Sequence, residues 1–173
     1  MEHRTNDAAI AFFDIVRSGH ELSRGGVLLD SIIGHIFEKM GFSRLQKLTA
    51  CIDGPTCRDV IKTLEYLESR REPPEEFLRR DKEYERRIVS MKERVEEMIE
   101  SKSFDPGASV RVHFVKLSKD RQRQSGRLLI DLAARAFELE KGRRPQSANE
   151  LVPDYLRAIP KDPTTGVELA LPR

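Results

Sequence analysis

A chain of 173 residues with 38% apolar and 35% charged side chains is long enough for a domain with a sizeable core, and its strongly periodic apolar residues exclude disorder throughout. Its 31 basic and 29 acidic residues leave a formal net charge of +2, too small for a long-range field that would draw in nucleic acid or anionic lipid. No apolar run approaches the ~20 residues of a membrane span, and Met1 to Asn6 lacks a signal-peptide pattern, so the sequence as written reads as cytoplasmic, or as the soluble part of a cell-envelope protein whose N-terminal anchor has been removed.

Taken in order, Thr5 or Asn6 is placed to cap a first helix with Ala9, Phe12, Phe13 and Val16 on one face, and Gly19 reads as its end. A second helix is expected from Val27 to Met40. It carries Leu28, Leu29, Ile32, Ile33, Ile36, Phe37 and Met40, an arc wide enough to predict a central helix buried on more than one side. Gly41 permits a break before a short helical piece with Phe42, Leu45 and Leu48. Asp53-Gly54-Pro55-Thr56 is a helix start, after which Cys57, Val60, Ile61, Leu64 and Leu67 share a face until Pro73-Pro74.

The span 75–100 reads as a long, projecting charged helix. Phe77, Tyr84, Ile88, Met91, Val95 and Met98 follow steps of seven, four, three, four and three, a narrow seam suited to a self-contact or a protein partner. Asp81 falls in that seam and marks an end or a wet spot. Asp105-Pro106-Gly107 is a breaker, and 109–115 reads either as a short strand, from the alternation of Val110, Val112 and Phe114, or as the start of the next helix. A helix from Arg121 to Lys141 turns Leu129, Leu132, Ala133, Ala136 and Phe137 inward and stops at Gly142.

In the tail, Ser147-Ala148-Asn149-Glu150 has capping-box spacing, and Tyr155, Leu156 and Ile159 are spaced to dock on the preceding helix. Asp162-Pro163-Thr164-Thr165-Gly166 turns the chain into a strand with Val167, Leu169 and Leu171 on one face. The sequence of signals over Ser125–Leu171 also carries a likeness. The helix followed by Lys141-Gly142-Arg143-Arg144-Pro145, then Glu150-Leu151-Val152-Pro153-Asp154-Tyr155-Leu156, then Ile159-Pro160-Lys161-Asp162-Pro163 and Gly166 resembles the C-terminal part of type II secretion major pseudopilins. It is still more similar to a group of uncharacterised, mostly membrane-anchored bacterial proteins with the same tail. The resemblance implies a shared structural module over 125–173. It leaves filament assembly and calcium binding open, since Arg144 stands where an aromatic is usual in those families.

Chemistry is sparse by comparison. Cys51 and Cys57, spaced C-x5-C, read as reduced structural residues, and the four histidines, His3, His20, His35 and His113, form no zinc-type spacing. His35 and Glu38, one helical turn apart, could set an imidazole beside a carboxylate, and with His20 they are where an enzyme's cleft would have to form. Gly25-Gly26 could offer backbone donors to an anion, but reads better as a plain helix start. Lys119 to Arg127 is the one basic stretch with little acidic compensation, and nucleic-acid binding through Arg121, Arg123 and Arg127 is the other alternative. No residue is assigned a catalytic, cofactor-binding or metal-binding role. The sequence predicts a mainly α protein, a single helical domain over 1–173 forming a bundle with a charged arm at 75–100 and a short C-terminal strand or hairpin. Its expected role is that of a non-enzymatic structural or interaction domain, with no nucleic-acid partner and no membrane span in this chain.

Overall fold

The computed structural model describes residues 2–96 and 107–171, and the side chains of 4–88 and 111–171. It is a mainly helical bundle. Helix α1 covers Glu2–Ser23, α2 Leu28–Leu48, α3 Gly54–Ser69, α4 Pro74–Glu96 and α5 Gly107–Lys141, with short 3-10 turns at Thr49–Cys51 and Ala148–Leu151. The span 109–115 is therefore helical and continuous with the helix that follows it. In place of a C-terminal strand there is one isolated antiparallel bridge, Lys161 to Glu168.

Local chemistry accounts for the helix ends. The Asp53 carboxylate accepts from the Thr56 N–H at 2.8 Å and Pro55 fills the first turn of α3, as its sequence requires. Asn6, expected as a cap, instead reaches across the bundle and donates to Asp53 at 2.6 Å. Asp81 of α4 accepts from the backbone N–H of Leu28, so the carboxylate in the expected seam caps the start of α2. Gly142, with φ 68°, ends α5. In the tail only half of the expected capping box forms. Glu150 accepts from the Ser147 N–H and also, at 2.7 Å, from the Gln146 N–H, while the Ser147 side chain makes no cap bond.

Two glycines that read as helix breaks lie inside helices. Gly19 and Gly41 sit where α1 and α2 run antiparallel at close range, with Gly34 between them in the contact. A β-carbon on Gly19 would lie 2.5 Å from the Gly34 carbonyl oxygen, and one on Gly41 would lie 2.5 Å from the Val16 side chain. One on Gly34 would fall on Ser23 Oγ and the Gly19 carbonyl. A backbone carbonyl of the facing helix stands within 2.7 Å at each of the three sites, so moving a side chain alone makes no room. Gly34→Ala is expected to cost about 2–3 kcal/mol in urea unfolding, at the upper end of overpacking penalties.

The interior has three layers. One apolar cluster takes Val16 from α1, Phe42 and Leu45 from α2, Leu64 from α3, and Leu128 and Leu132 from α5, and the tail adds Leu151, Tyr155 and Leu156. A smaller one, at the other end of the helices, joins Leu28, Phe77 and Phe114, with Ile32 and Leu78 at its edge. Between them the same helices bury polar side chains. The tail is fastened to the larger cluster as its spacing predicts. Tyr155 stacks at 5.5 Å on Phe137 and donates to Glu140 at 2.9 Å, while Arg58 forks onto Glu140 at 2.6 and 2.8 Å.

The second helix departs most from expectation. Its buried residues are Leu28, Ser31, Gly34, His35, Glu38, Gly41, Phe42 and Leu45. Leu29, Ile33, Ile36, Phe37 and Met40 face outward, with Leu29 63% and Met40 57% exposed. The wide apolar arc does not mean burial on several sides. The backbone contact with α1 selects the glycine-bearing face, and Arg71 just past α3 and Arg121 on α5 hold Glu38 inward, which leaves the apolar side out.

Candidate functional site

The polar layer between the two apolar clusters is built from one or two turns of four helices. His20 and Ser23 come from α1, Ser31, His35 and Glu38 from α2, Glu68 from α3 with Arg71 two residues past its end, and Ser118, Arg121 and Ser125 from α5. Arg71 presents its guanidinium fork to Glu38, with both bonds at 3.0 Å, and its Nε donates to Glu68 at 3.3 Å. Arg121 donates to Glu68 at 2.8 Å and reaches Glu38 at 3.5 Å, while Ser125 Oγ donates to Glu68 at 2.8 Å. Two carboxylates and two guanidiniums thus cancel in a closed square. Glu38, with no exposed surface, sits at its deepest corner.

The environment sets the protonation states. Burial pushes the Glu38 carboxyl upward while Arg71 and Arg121 pull against it, and the bidentate fork is the arrangement of an ionised carboxylate. Burial also works against Glu68, but the Arg121 and Arg71 charges and the hydrogen bonds from Arg121 and Ser125 bring its carboxyl down to about 2. Both histidines are held neutral. Burial, reinforced by Arg71, lowers His20 to about 4, and burial, reinforced by Arg121 and Arg71, lowers His35 to about 3. His35 makes no bond to Glu38. Its ring lies 5.5 Å from Phe114, which in turn lies 5.8 Å from Phe77.

A cleft of about 220 Å³ opens onto this layer between α2, α3, the start of α4 and α5. Ser31, His35 and Arg121 stand on its polar side, and Pro73, Pro74 and Phe77 on its apolar side. A second feature lies on the opposite side of α2, where Leu29, Ile33, Ile36, Phe37 and Met40 form an outward stripe three turns long. Contiguous apolar surface of this kind marks a contact site more often than a chance exposure.

The residues singled out by sequence are dispersed. Phe77 is buried within its own chain, Tyr84 and Ile88 are exposed on α4, the side chains of Met91 and Val95 lie outside the described ones, and Met98 lies outside the described residues. Of the basic stretch, Arg121 is buried in the square, Arg123 donates to Asp162 and Asp120, and Arg127 donates to the Ala170 carbonyl, so each serves its own fold. The Gly25 N–H that might have met an anion donates to Glu72. Both cysteines are free, and burial pushes the Cys57 thiol up to about 12, far from a reactive thiolate. Among the described residues no three His, Cys, Asp or Glu side chains converge as a metal site, and no helix is long and apolar enough to cross a membrane.

Glu68, Arg71, Ser118 and Ser125 did not stand out in the sequence as site residues. For Ser118 and Ser125 the signal was present in the spacing. Phe114, Ser118, Arg121, Ser125, Leu128 and Leu132 form one row of alternating four- and three-residue steps, as do Leu28, Ser31, His35, Glu38, Phe42 and Leu45. Comparison with protein-family models, with curated proteins and with solved structures gives no match.

Proposed function

We propose that this chain is a non-enzymatic protein-interaction domain that pairs with a second copy of itself through the outer face of α2. The observation that carries this reading is the inversion of that helix, with Glu38, His35 and Ser31 inside and Ile36, Phe37 and Met40 outside. Where the middle turns of a helix pack polar side chains inward, the apolar ones opposite are left for another surface. The polar layer supports the non-enzymatic part, because its charges neutralise one another, its histidines are held in the neutral state and its carboxylates are already engaged.

Charge argues for a second copy in antiparallel register. The exposed charges of α2 are Lys39, Arg44 and Lys47, all basic and all in its C-terminal half, whereas at its N-terminal end Glu21 and Glu72 are offset by Arg24 and Arg80, and Asp30 accepts from the Val27 N–H. A two-fold antiparallel pairing keeps the basic ends of the two copies apart, while parallel pairing stacks like on like. A net charge of +2 gives little overall repulsion between copies. Tyr84 and Ile88 of α4 remain an alternative contact, the one that the seam at 75–100 suggests. We also retain the reading of 125–173 as a pseudopilin-like module with a short terminal hairpin. The Gly142 stop, the docked Tyr155 and Leu156, and the Lys161–Glu168 bridge support it.

Sedimentation equilibrium tests the pairing. A reversible dimer is expected, and Phe37→Asp or Ile36→Asp should weaken it at least ~30-fold, the effect of losing about 2 kcal/mol at a contact centre, with unchanged far-UV circular dichroism. A monomer at all concentrations up to ~100 μM, where a micromolar contact would be largely formed, would overturn the reading. So would a dimer that survives Phe37→Asp and is broken by Ile88→Asp.

A further inference from the structure

We infer that α4 is a detachable cover, which undocks as a unit while the rest of the bundle stays folded, and that its docking restrains the pairing of copies by hiding one end of the α2 face through which they meet. Among the described side chains, α4 buries one apolar residue, Phe77, in the small cluster with Leu28 and Phe114, and Leu78 lies half-buried at the edge of that cluster. By contrast, α3 buries Cys57, Val60, Ile61, Leu64 and Leu67 in the larger cluster. A helix of 23 residues held by so little apolar contact sits at the low end of the range of local stabilities.

Polar ties complete its attachment. Arg80 donates to the Gly26 carbonyl at 2.8 Å and pairs with Glu72, Asp81 accepts from the Leu28 N–H, and Glu85 pairs with Arg111. The charged groups among these are partly exposed, and water replaces ties of this kind at small net cost. Undocking need not disturb the polar layer. Arg71 is pinned there by its fork on Glu38, and the link that follows it to α4 holds Pro73 and Pro74, which have no N–H to tie it down.

What α4 covers gives the undocking a consequence. Leu28, Ile32, Ile36 and Met40 follow one another at four-residue steps and so form a single row along α2. Leu28 is buried in the cluster that Phe77 completes, Ile32 is half-buried against it, and Ile36 and Met40 are exposed. The row thus runs from under α4 onto the outer face. With α4 lifted, Leu28, Ile32 and Phe114 enlarge the apolar surface open to a second copy. In a lone chain these bared residues favour redocking, while a second copy that covers them favours the open form.

Two measurements test this, the second of which rests on the pairing proposed above. In dilute wild-type protein, hydrogen exchange of the 78–87 amides in rising urea is expected to run through one shared opening. That opening should be at least about 30-fold more populated than the one exposing the α3 amides, with a smaller urea dependence. Exchange in step with the α3 amides, or at separate rates without urea dependence, would overturn the inference. Phe77→Ala should raise exchange over 78–87 at least about tenfold by removing the buried ring. In sedimentation equilibrium it should tighten the dimer about tenfold, because a larger fraction of copies offers the whole row. Arg80→Gln, which loses the tie to Gly26, should act in the same direction and serves if the first variant does not fold. A wild-type monomer would overturn the pairing and the restraint with it, whereas a wild-type dimer that both variants leave unchanged or weaken would overturn the restraint alone.

Discussion

Glu38→Leu is expected to destabilise the fold by about 3–5 kcal/mol, even though it places a larger apolar side chain in a fully buried position. The loss comes from what the substitution leaves behind. Arg71 loses both bonds of its fork and Arg121 loses a neighbour at 3.5 Å, so a positive charge remains in a layer closed by apolar clusters on both sides. Desolvating that charge costs more than the leucine gains from burial. The double variant Glu38→Leu, Arg71→Met removes the stranded charge with its partner and should recover more than half of the loss, because an apolar pair of similar volume replaces a buried ion pair at little net cost. Urea unfolding of the three variants closes the cycle. Additive losses would show that the two side chains do not act as a pair.

Acid should unfold the chain sooner than carboxylate titration alone would dictate. In the unfolded chain His20 and His35 take up protons near pH 6.5, whereas in the fold they do so only near about 4 and about 3. Between pH 6.5 and 4 the unfolded state therefore binds more protons, and stability falls as the pH falls, by up to about 1.4 kcal/mol per pH unit for each histidine. Glu68, held down to about 2, adds a further loss below pH 4.5. Glu38, pushed upward by burial, acts in the opposite sense, so the histidine contribution is best isolated by comparison. The slope of unfolding free energy against pH between 6.5 and 4.5 should be about halved in His35→Gln, and the His20 and His35 ring protons should not shift in NMR titration above pH 5. Equal slopes in the two proteins would contradict the burial of a neutral His35.

The two predicted effects share a cause that also explains how much of the fold was legible. Residues whose position is decided by their neighbours in sequence were read well: the Asp53-Pro55 start of α3, the Gly142 stop, and the Tyr155 and Leu156 anchors. Residues whose position depends on a distant partner were not. Gly19 and Gly41 read as helix ends because glycine disfavours helix interiors, yet each allows the backbone of a neighbouring helix to approach. Glu38 is absent from the arc expected to be buried in α2 because carboxylates are seldom buried, and nothing local to it announces Arg71 or Arg121 far along the chain. The outward position of Ile36 and Phe37 follows from the same partners. A helix can turn only one face inward, and the ion square and the glycine contact had already selected it.

The inversion of α2 can be measured by thiol labelling in a Cys51→Ser background, since Cys51 is exposed and Cys57 is fully buried. At dilution sufficient to keep copies apart, Ile36→Cys should react at the rate of an exposed thiol, while Ser31→Cys should stay protected until the chain unfolds. Rapid labelling at position 31 with protection at 36 would contradict the account, because the apolar face would then be the one turned inward.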